Sequence, residues 1–296
     1  MKNKTFLIVI AFFSIYVIWG STYLWNKIAV AELDPFMLAS VRFGVSGLLI
    51  LAIALTMRKS IWISKKQLLN SIVAGFLFLV YGNGVMVWAL KFVDSGFAAL
   101  ETSINPLLIL IIMRIYDKKP IQTKSIIGIT LGVIGMYVLV SQNQLTFQEG
   151  SLTGIIMIFT CVISWSVGSV FVSKADLPKN FFIATGYQMA TAAIMLCVAS
   201  LAFGESWSAP TEWTSRVQWI MLCLILFGSI AAFTSFNFLL KHVSTEKVAT
   251  SGYVNPLIAL LLGWYFLDEV ITLQTIIAAA LLLLGVYFIN SRKVKR

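Results

Sequence analysis

Apolar residues in this chain run in long blocks, not in the alternation of strands or the half-polar stripes of surface helices. Ten blocks can be read, at about residues 6–29, 36–57, 68–90, 95–115, 125–140, 152–172, 181–203, 217–240, 247–267 and 272–289. A membrane-crossing helix needs about 20 mostly apolar residues, and the polar connections between the blocks are short. In lipid a crossing segment must satisfy its own backbone groups, which helices do. The pattern therefore predicts an all-α membrane protein with ten transmembrane helices in one bundle.

The first block follows Lys2 and Lys4 and ends in Ala29-Val30-Ala31, a passable signal-peptidase site. Its apolar core is longer than the roughly 7–15 residues of a signal peptide. Trp19 within it also has a counterpart, Trp165, in the second half. The segment is expected to belong to the fold.

A long internal repeat organises the blocks. Residues 90–141 reappear without a gap 150 positions later, with fifteen identities in fifty-two positions. Asn105-Pro106-Leu107 returns as Asn255-Pro256-Leu257, for example. Earlier parts align at an offset of 146, pairing Trp19 with Trp165, Tyr23 with Ser169 and Arg42 with Gln188. Two repeats follow, 1–141 and 151–296, joined by a polar linker at 142–150. Each holds five predicted spans, an odd number, so the second must cross the membrane in the opposite sense. Paired halves of this kind point to transport.

Charge fixes the sidedness of this reading. With a cytoplasmic amino terminus, the inner segments carry 18 of the 22 Lys and Arg, and the outer ones carry only Lys27, Lys91 and Arg216. Such a positive-inside bias places both termini in the cytoplasm. Lys118-Lys119 align with Asp268-Glu269, so equivalent places in the two halves bear opposite charge, as an inverted repeat requires. The net charge of +10 is thereby explained by topology, with no nucleic-acid partner.

Composition narrows the chemistry. The chain is 59% hydrophobic and 11% charged, with mean hydropathy +0.91, well outside the soluble range. Cys161, Cys197 and Cys223 lie in apolar blocks and His242 is the only histidine, a set without metal-site or disulfide spacing. Nucleotide loops and nucleophile or zinc-protease motifs are missing from the sequence. No catalytic residue, metal or cofactor is expected, and any transport would run on a gradient.

Polar residues at membrane depth are the candidates for function. Arg42 and Glu101 each lie about six residues inside their blocks. They read either as an ion pair locking the second span to the fourth, or with Glu101 as a proton or cation relay. Asn105-Pro106 and Asn255-Pro256 sit at matching mid-span positions, where proline frees backbone carbonyls that must find partners or line a wet cavity. Trp19, Tyr23 and Asn26 share one helical face by their i, i+4, i+7 spacing. Asn83, Trp88, Trp165, Asn237, Tyr253 and Trp264 join a loose polar and aromatic set. Trp25, Trp62, Trp207 and Trp213 read as interfacial belt residues. Gly128 and Gly132 form a small-xxx-small pattern that reads as scaffold or homodimer contact.

These features together resemble the EamA-domain family of the drug/metabolite transporter superfamily. The resemblance rests on Trp19-Gly20-Ser21-Thr22-Tyr23 with Lys27, on Arg42, and on Ala89-Leu90-Lys91-Phe92-Val93. Pro106, Pro256, Gly135 and Gly285 complete it. It covers essentially the whole chain, although Trp165-Ser166-Val167 departs from the Trp-Gly-Ser of the first half. The resemblance implies a multi-pass protein of the bacterial cytoplasmic membrane that exports a small metabolite or drug by alternating access. It also implies a central cavity near Trp19, Tyr23, Asn83, Asn105, Trp165, Asn237, Tyr253 and Asn255, to which the helical face adds Asn26. Expected partners are a small-molecule substrate, the lipid bilayer and protons as a coupling ion through Glu101. Uncoupled uptake or exchange is the alternative, and a membrane-embedded enzyme is the reading from another class.

Overall fold

A computed structural model describes residues 2–117, 123–141, 150–249 and 251–290, and among the described residues it is helical without strands. The main helices are α1 (Lys4–Val30), α2 (Pro35–Thr56), α3 (Lys65–Ala89), α4 (Ser95–Tyr116), α5 (Thr123–Val140), α6 (Ser151–Lys174), α7 (Phe181–Ala202), α8 (Ser215–His242), α9 (Ser251–Leu267) and α10 (Leu273–Asn290). Seven of them, α1–α4 and α6–α8, are long and apolar enough to cross a membrane by length and composition. The apolar parts of α5, α9 and α10 are shorter, at Ile126–Gly135, Val254–Leu267 and Leu273–Gly285. Large apolar side chains such as Leu48, Leu201, Trp219 and Leu273 face outward, as lipid-facing residues do. Trp62 is exposed as a belt residue would be, whereas Trp213 is buried and donates to Ser208 Oγ.

Helices from the two halves of the chain pair with one another. α2 packs along α7, α4 along α9 and α5 along α10, while α1 meets α8 and α9, and α6 meets α3 and α4. At the α5–α10 contact, a Cβ on Gly285 would come within 2.7 Å of Gly128 O and 3.0 Å of Gly132 N. The small-residue pattern thus serves close packing within the chain.

The long helices are not uniform. Wide i→i+5 turns occupy Ser14–Ile18 in α1, Phe76–Val85 in α3 and Leu224–Phe233 in α8, a distortion often found at functional sites. The two Asn-Pro pairs differ from the expected matching breaks. α4 is interrupted at Ser103-Ile104, and Pro106 begins the next turn, where its missing N–H removes no helical bond. Pro256 lies inside α9, and the interruption there falls earlier, between a helical turn at Thr245–Val248 and Ser251.

Helix ends repeat between the halves. After α2, Arg58 is left-handed, with Arg58 N donating to Leu55 O and Lys59 N to Ala54 O. After α7, 146 residues on, Gly204 is left-handed, with the same two bonds from Gly204 N to Leu201 O and Glu205 N to Ser200 O. This is the Schellman pattern at both sites. The connecting segments gather at two ends of the bundle. At one, Glu205 reaches Phe36 N and Met37 N, Glu269 reaches the start of α4, and Glu32 reaches Thr214. At the other, Asn70 donates to Asp176 O and Tyr187 to Ile61 O. Named for the groups that join the halves there and not for net charge, these are the acidic end and the neutral end, the latter also holding basic residues such as Arg58, Lys59, Lys65 and Lys66. Lys118-Lys119, the basic counterparts of Asp268-Glu269, lie outside the described residues.

Candidate functional site

Between the halves lies a cavity of about 110 Å³, counted as room for the centre of a water molecule. That space admits several waters or a small solute. Its walls come from α1, α2, α3, α4, α6 and α9. Along α1 they run from Trp19 to Asn26 and along α3 from Gly82 to Leu90, both toward the acidic end. On the other side an aromatic cluster closes the bundle. Trp19 meets Trp165 edge-on at 5.5 Å and Phe236 at 5.0 Å, and Phe78 packs on Trp165 at 4.8 Å. Trp19 Nε1 donates to Gly228 O at 3.1 Å, so this indole is fixed across the halves.

The predicted residues separate on this geometry. Trp19, Tyr23, Asn26, Asn83, Asn105, Trp165 and Asn255 line the cavity. Asn237 does not. It is buried, and its amide donates within a cluster to Thr185 Oγ1 and Gln188 Oε1, each at 3.2 Å. The Tyr253 side chain lies outside the described residues. Trp88 packs on Phe36 and Phe203 instead, and Trp264 is exposed.

Each Asn-Pro asparagine anchors on the opposite half. Asn105 Oδ1 accepts from Ser166 Oγ at 2.7 Å, tying α4 to α6. The Asn255 amide, turned so that its nitrogen faces carbonyls, donates to Ile15 O at 2.9 Å and to Tyr16 O at 2.8 Å. Those carbonyls sit in the wide turn of α1. The two asparagines thus bond across the halves and also line the cavity. Tyr23 adds a link from α1 to α4 through Thr102 Oγ1 at 2.9 Å. Lys27 donates to Leu90 O and Val93 O, each at 2.7 Å, beyond the cavity toward the acidic end.

Arg42 and Glu101 make no ion pair with each other in this structure. Arg42 is 2% exposed and lies in the cavity wall. Its Nε donates to Ser229 Oγ at 2.8 Å and its Nη1 to Asn26 Oδ1 at 3.3 Å. The guanidinium also lies over the Phe43 ring at 4.8 Å. Glu101 is fully buried behind the wall, and neither carboxylate oxygen has a hydrogen-bond partner.

Several wall residues escaped the sequence reading, among them Thr102, Cys161, Val162, Ser251 and Gly252. The repeat held a signal for two of them: at the 150 offset, Gly252 is the equivalent of Thr102, as Asn255 is of Asn105. Cys161 is buried and donates to Tyr81 O at 3.3 Å, in keeping with a packing role.

The comparisons with known proteins match this architecture. The model of the EamA-like transporter family matches twice, over residues 6–141 and 152–291. The uncharacterized inner membrane transporter YedA of Escherichia coli (strain K12) is 36% identical over 256 residues, covering 86% of this chain and 80% of YedA. The uncharacterized transporter YoaV of Bacillus subtilis (strain 168) is 23% identical over 95% of both chains. A crystal structure shares the fold with TM-score 0.71 and 20% identity, covering 96% of each chain. The chain belongs to the EamA-like transporter family.

Proposed function

We propose that the chain is a secondary transporter built as two inverted five-helix repeats, residues 1–141 and 151–296, which exports a small polar or amphipathic metabolite by alternating access. The observation that carries this reading is the cavity at the seam of the halves, where repeat-related residues face one another. Trp19 meets Trp165 there, and Asn105 and Asn255 each anchor on the other half's first helix. Such a seam is where rocking of one half against the other would expose a site to alternate faces. The positive-inside bias and the inner-membrane relative support a bacterial cytoplasmic membrane with both termini inside. The acidic end is then the outer end.

Glu101 is the candidate for proton coupling, as a carboxyl group at membrane depth whose two oxygens have no hydrogen-bond partner. Its place behind the cavity wall favours the second reading, uncoupled exchange or uptake. Flux in proteoliposomes with and without a pH gradient decides between them. Coupling predicts that Glu101→Gln abolishes gradient-driven flux while leaving substrate binding. Wild-type flux indifferent to the gradient sinks the coupling.

A further inference from the structure

Arg42 poses a problem that the transport reading leaves open. Its cation is buried, yet both its side-chain acceptors are neutral, Ser229 Oγ and Asn26 Oδ1. A guanidinium carries five N–H donors, and those two bonds use two. The other three have no acceptor among the described residues, and the group forms part of the cavity wall. An uncompensated charge held away from water is costly. The Phe43 ring below it recovers only part of that cost.

Packing does not demand the charge. Gln188 occupies the equivalent position of the other half, equally buried, in a neutral cluster with Asn237. That cluster stands away from the cavity, whereas the Arg42 cluster faces it. The charge is therefore present on the side where a solute can reach it. A second group in the wall is also incomplete: Asn83 Oδ1 is buried with no donor. The aromatic pair Trp19 and Trp165 supplies a flat apolar surface between the polar groups.

We propose that the cavity selects small organic monoanions, with Arg42 binding the carboxylate and Asn83 Oδ1 accepting a hydrogen bond from an N–H or O–H on the same molecule. The inference rests on the transporter reading for its purpose but concerns binding alone. A carboxylate gives the guanidinium the charged acceptor it lacks, in a geometry suited to two parallel bonds. A cation would meet Arg42 by repulsion, and a neutral amide would leave the charge uncompensated.

Equilibrium binding to the purified full chain in nanodiscs tests this with four probes sharing one ring. They are hippurate, its neutral amide hippuramide, 3-phenylpropionate without the N–H, and phenethylammonium. Hippurate should bind at least about 10-fold tighter than hippuramide and tighter than phenylpropionate, the scale of a charged hydrogen bond. Phenethylammonium should bind weakest. Arg42→Gln, which copies the residue of the other half, should erase the difference between acid and amide, and Arg42→Lys should retain part of it. Asn83→Ala should erase the preference for hippurate over phenylpropionate and leave the acid-to-amide ratio intact. Monodisperse elution of each variant checks folding. Equal binding of acid and amide overturns the proposal, as does an unchanged ratio in Arg42→Gln. No saturable binding of either carboxylate up to about 10 mM overturns it as well. Binding without flux in proteoliposomes keeps the site and removes the transport reading, so the two fail separately.

Discussion

The two ends of the bundle solve the same problem in different ways. Every helix start leaves N–H groups without helical partners. At the neutral end two starts, those of α3 and α7, cap themselves. Asn180 accepts from Phe182 N and Ile183 N at the start of α7. Ser64 and Gln67 form a reciprocal capping box at the start of α3. At the acidic end carboxylates from the opposite half bind the starts of α2, α4 and α8, the last of which also has its own Thr214 Oγ1 accepting from Val217 N. Glu205 takes Phe36 N at 3.0 Å and Met37 N at 2.7 Å on α2. Glu269 takes Ser95 N at 2.8 Å, Ser95 Oγ at 2.6 Å and Gly96 N at 3.0 Å on α4. Glu32 takes Thr214 N at 2.7 Å at the start of α8. The difference teaches that one end is stitched across the seam by charge-assisted bonds, and the other mainly by neutral contacts. It also explains an alignment: Glu205 stands where Lys59 stands at the other end. The place held by a basic residue at one end is held at the acidic end by a cross-half cap.

The comparison breaks most sharply at Glu269. This side chain fills a slot that glycine keeps open, because a Cβ on Gly263 would overlap its carboxylate and one on Gly96 would meet Leu260 at 2.6 Å. Glu269→Ala should cost about 3 kcal/mol through three lost charge-assisted bonds, read as a lowered Tm of the detergent-solubilised protein. Glu205→Ala should cost about 2 kcal/mol, having two such bonds. A loss no larger than that of an average surface substitution would mean that these caps do not hold the seam.

Ser64→Ala, at the self-capped neutral end, should cost about 1 kcal/mol and leave cross-half contacts unchanged in cysteine crosslinking, whereas Glu269→Ala should weaken crosslinks between α4 and α9. Equal crosslinking losses in both variants would erase the contrast between the ends. The smallest effect is expected at Asp94, beside Glu269. Burial pushes its carboxyl above the ordinary value of 3.8, repulsion from Glu269 adds to this, and Lys27 opposes it. A raised folded value means the native state binds the proton more tightly. Asp94 therefore favours folding below the ordinary value, and that contribution is lost as pH rises through the folded one. Asp94→Asn should raise Tm slightly at pH 7 and flatten its fall with rising pH above 3.8.

The sequence by itself determined the helical class, the positions of the apolar blocks and the repeat, because a span's length and composition are local quantities set by the bilayer. The face of Trp19, Tyr23 and Asn26 was legible for the same reason: helical spacing alone puts the three together. Tertiary structure decided the rest. Arg42 and Glu101 sit at similar depths in the second and fourth blocks, so sequence could offer them as partners. Only the rotation of α2 and α4 turns one toward Ser229 and the cavity and leaves the other behind the wall. Asn237 and Asn83 are both amides in corresponding helices, yet only the latter reaches the cavity. Depth and residue type follow from local sequence, whereas the direction a side chain faces depends on which helix packs beside it, and those neighbours come from the other half of the chain.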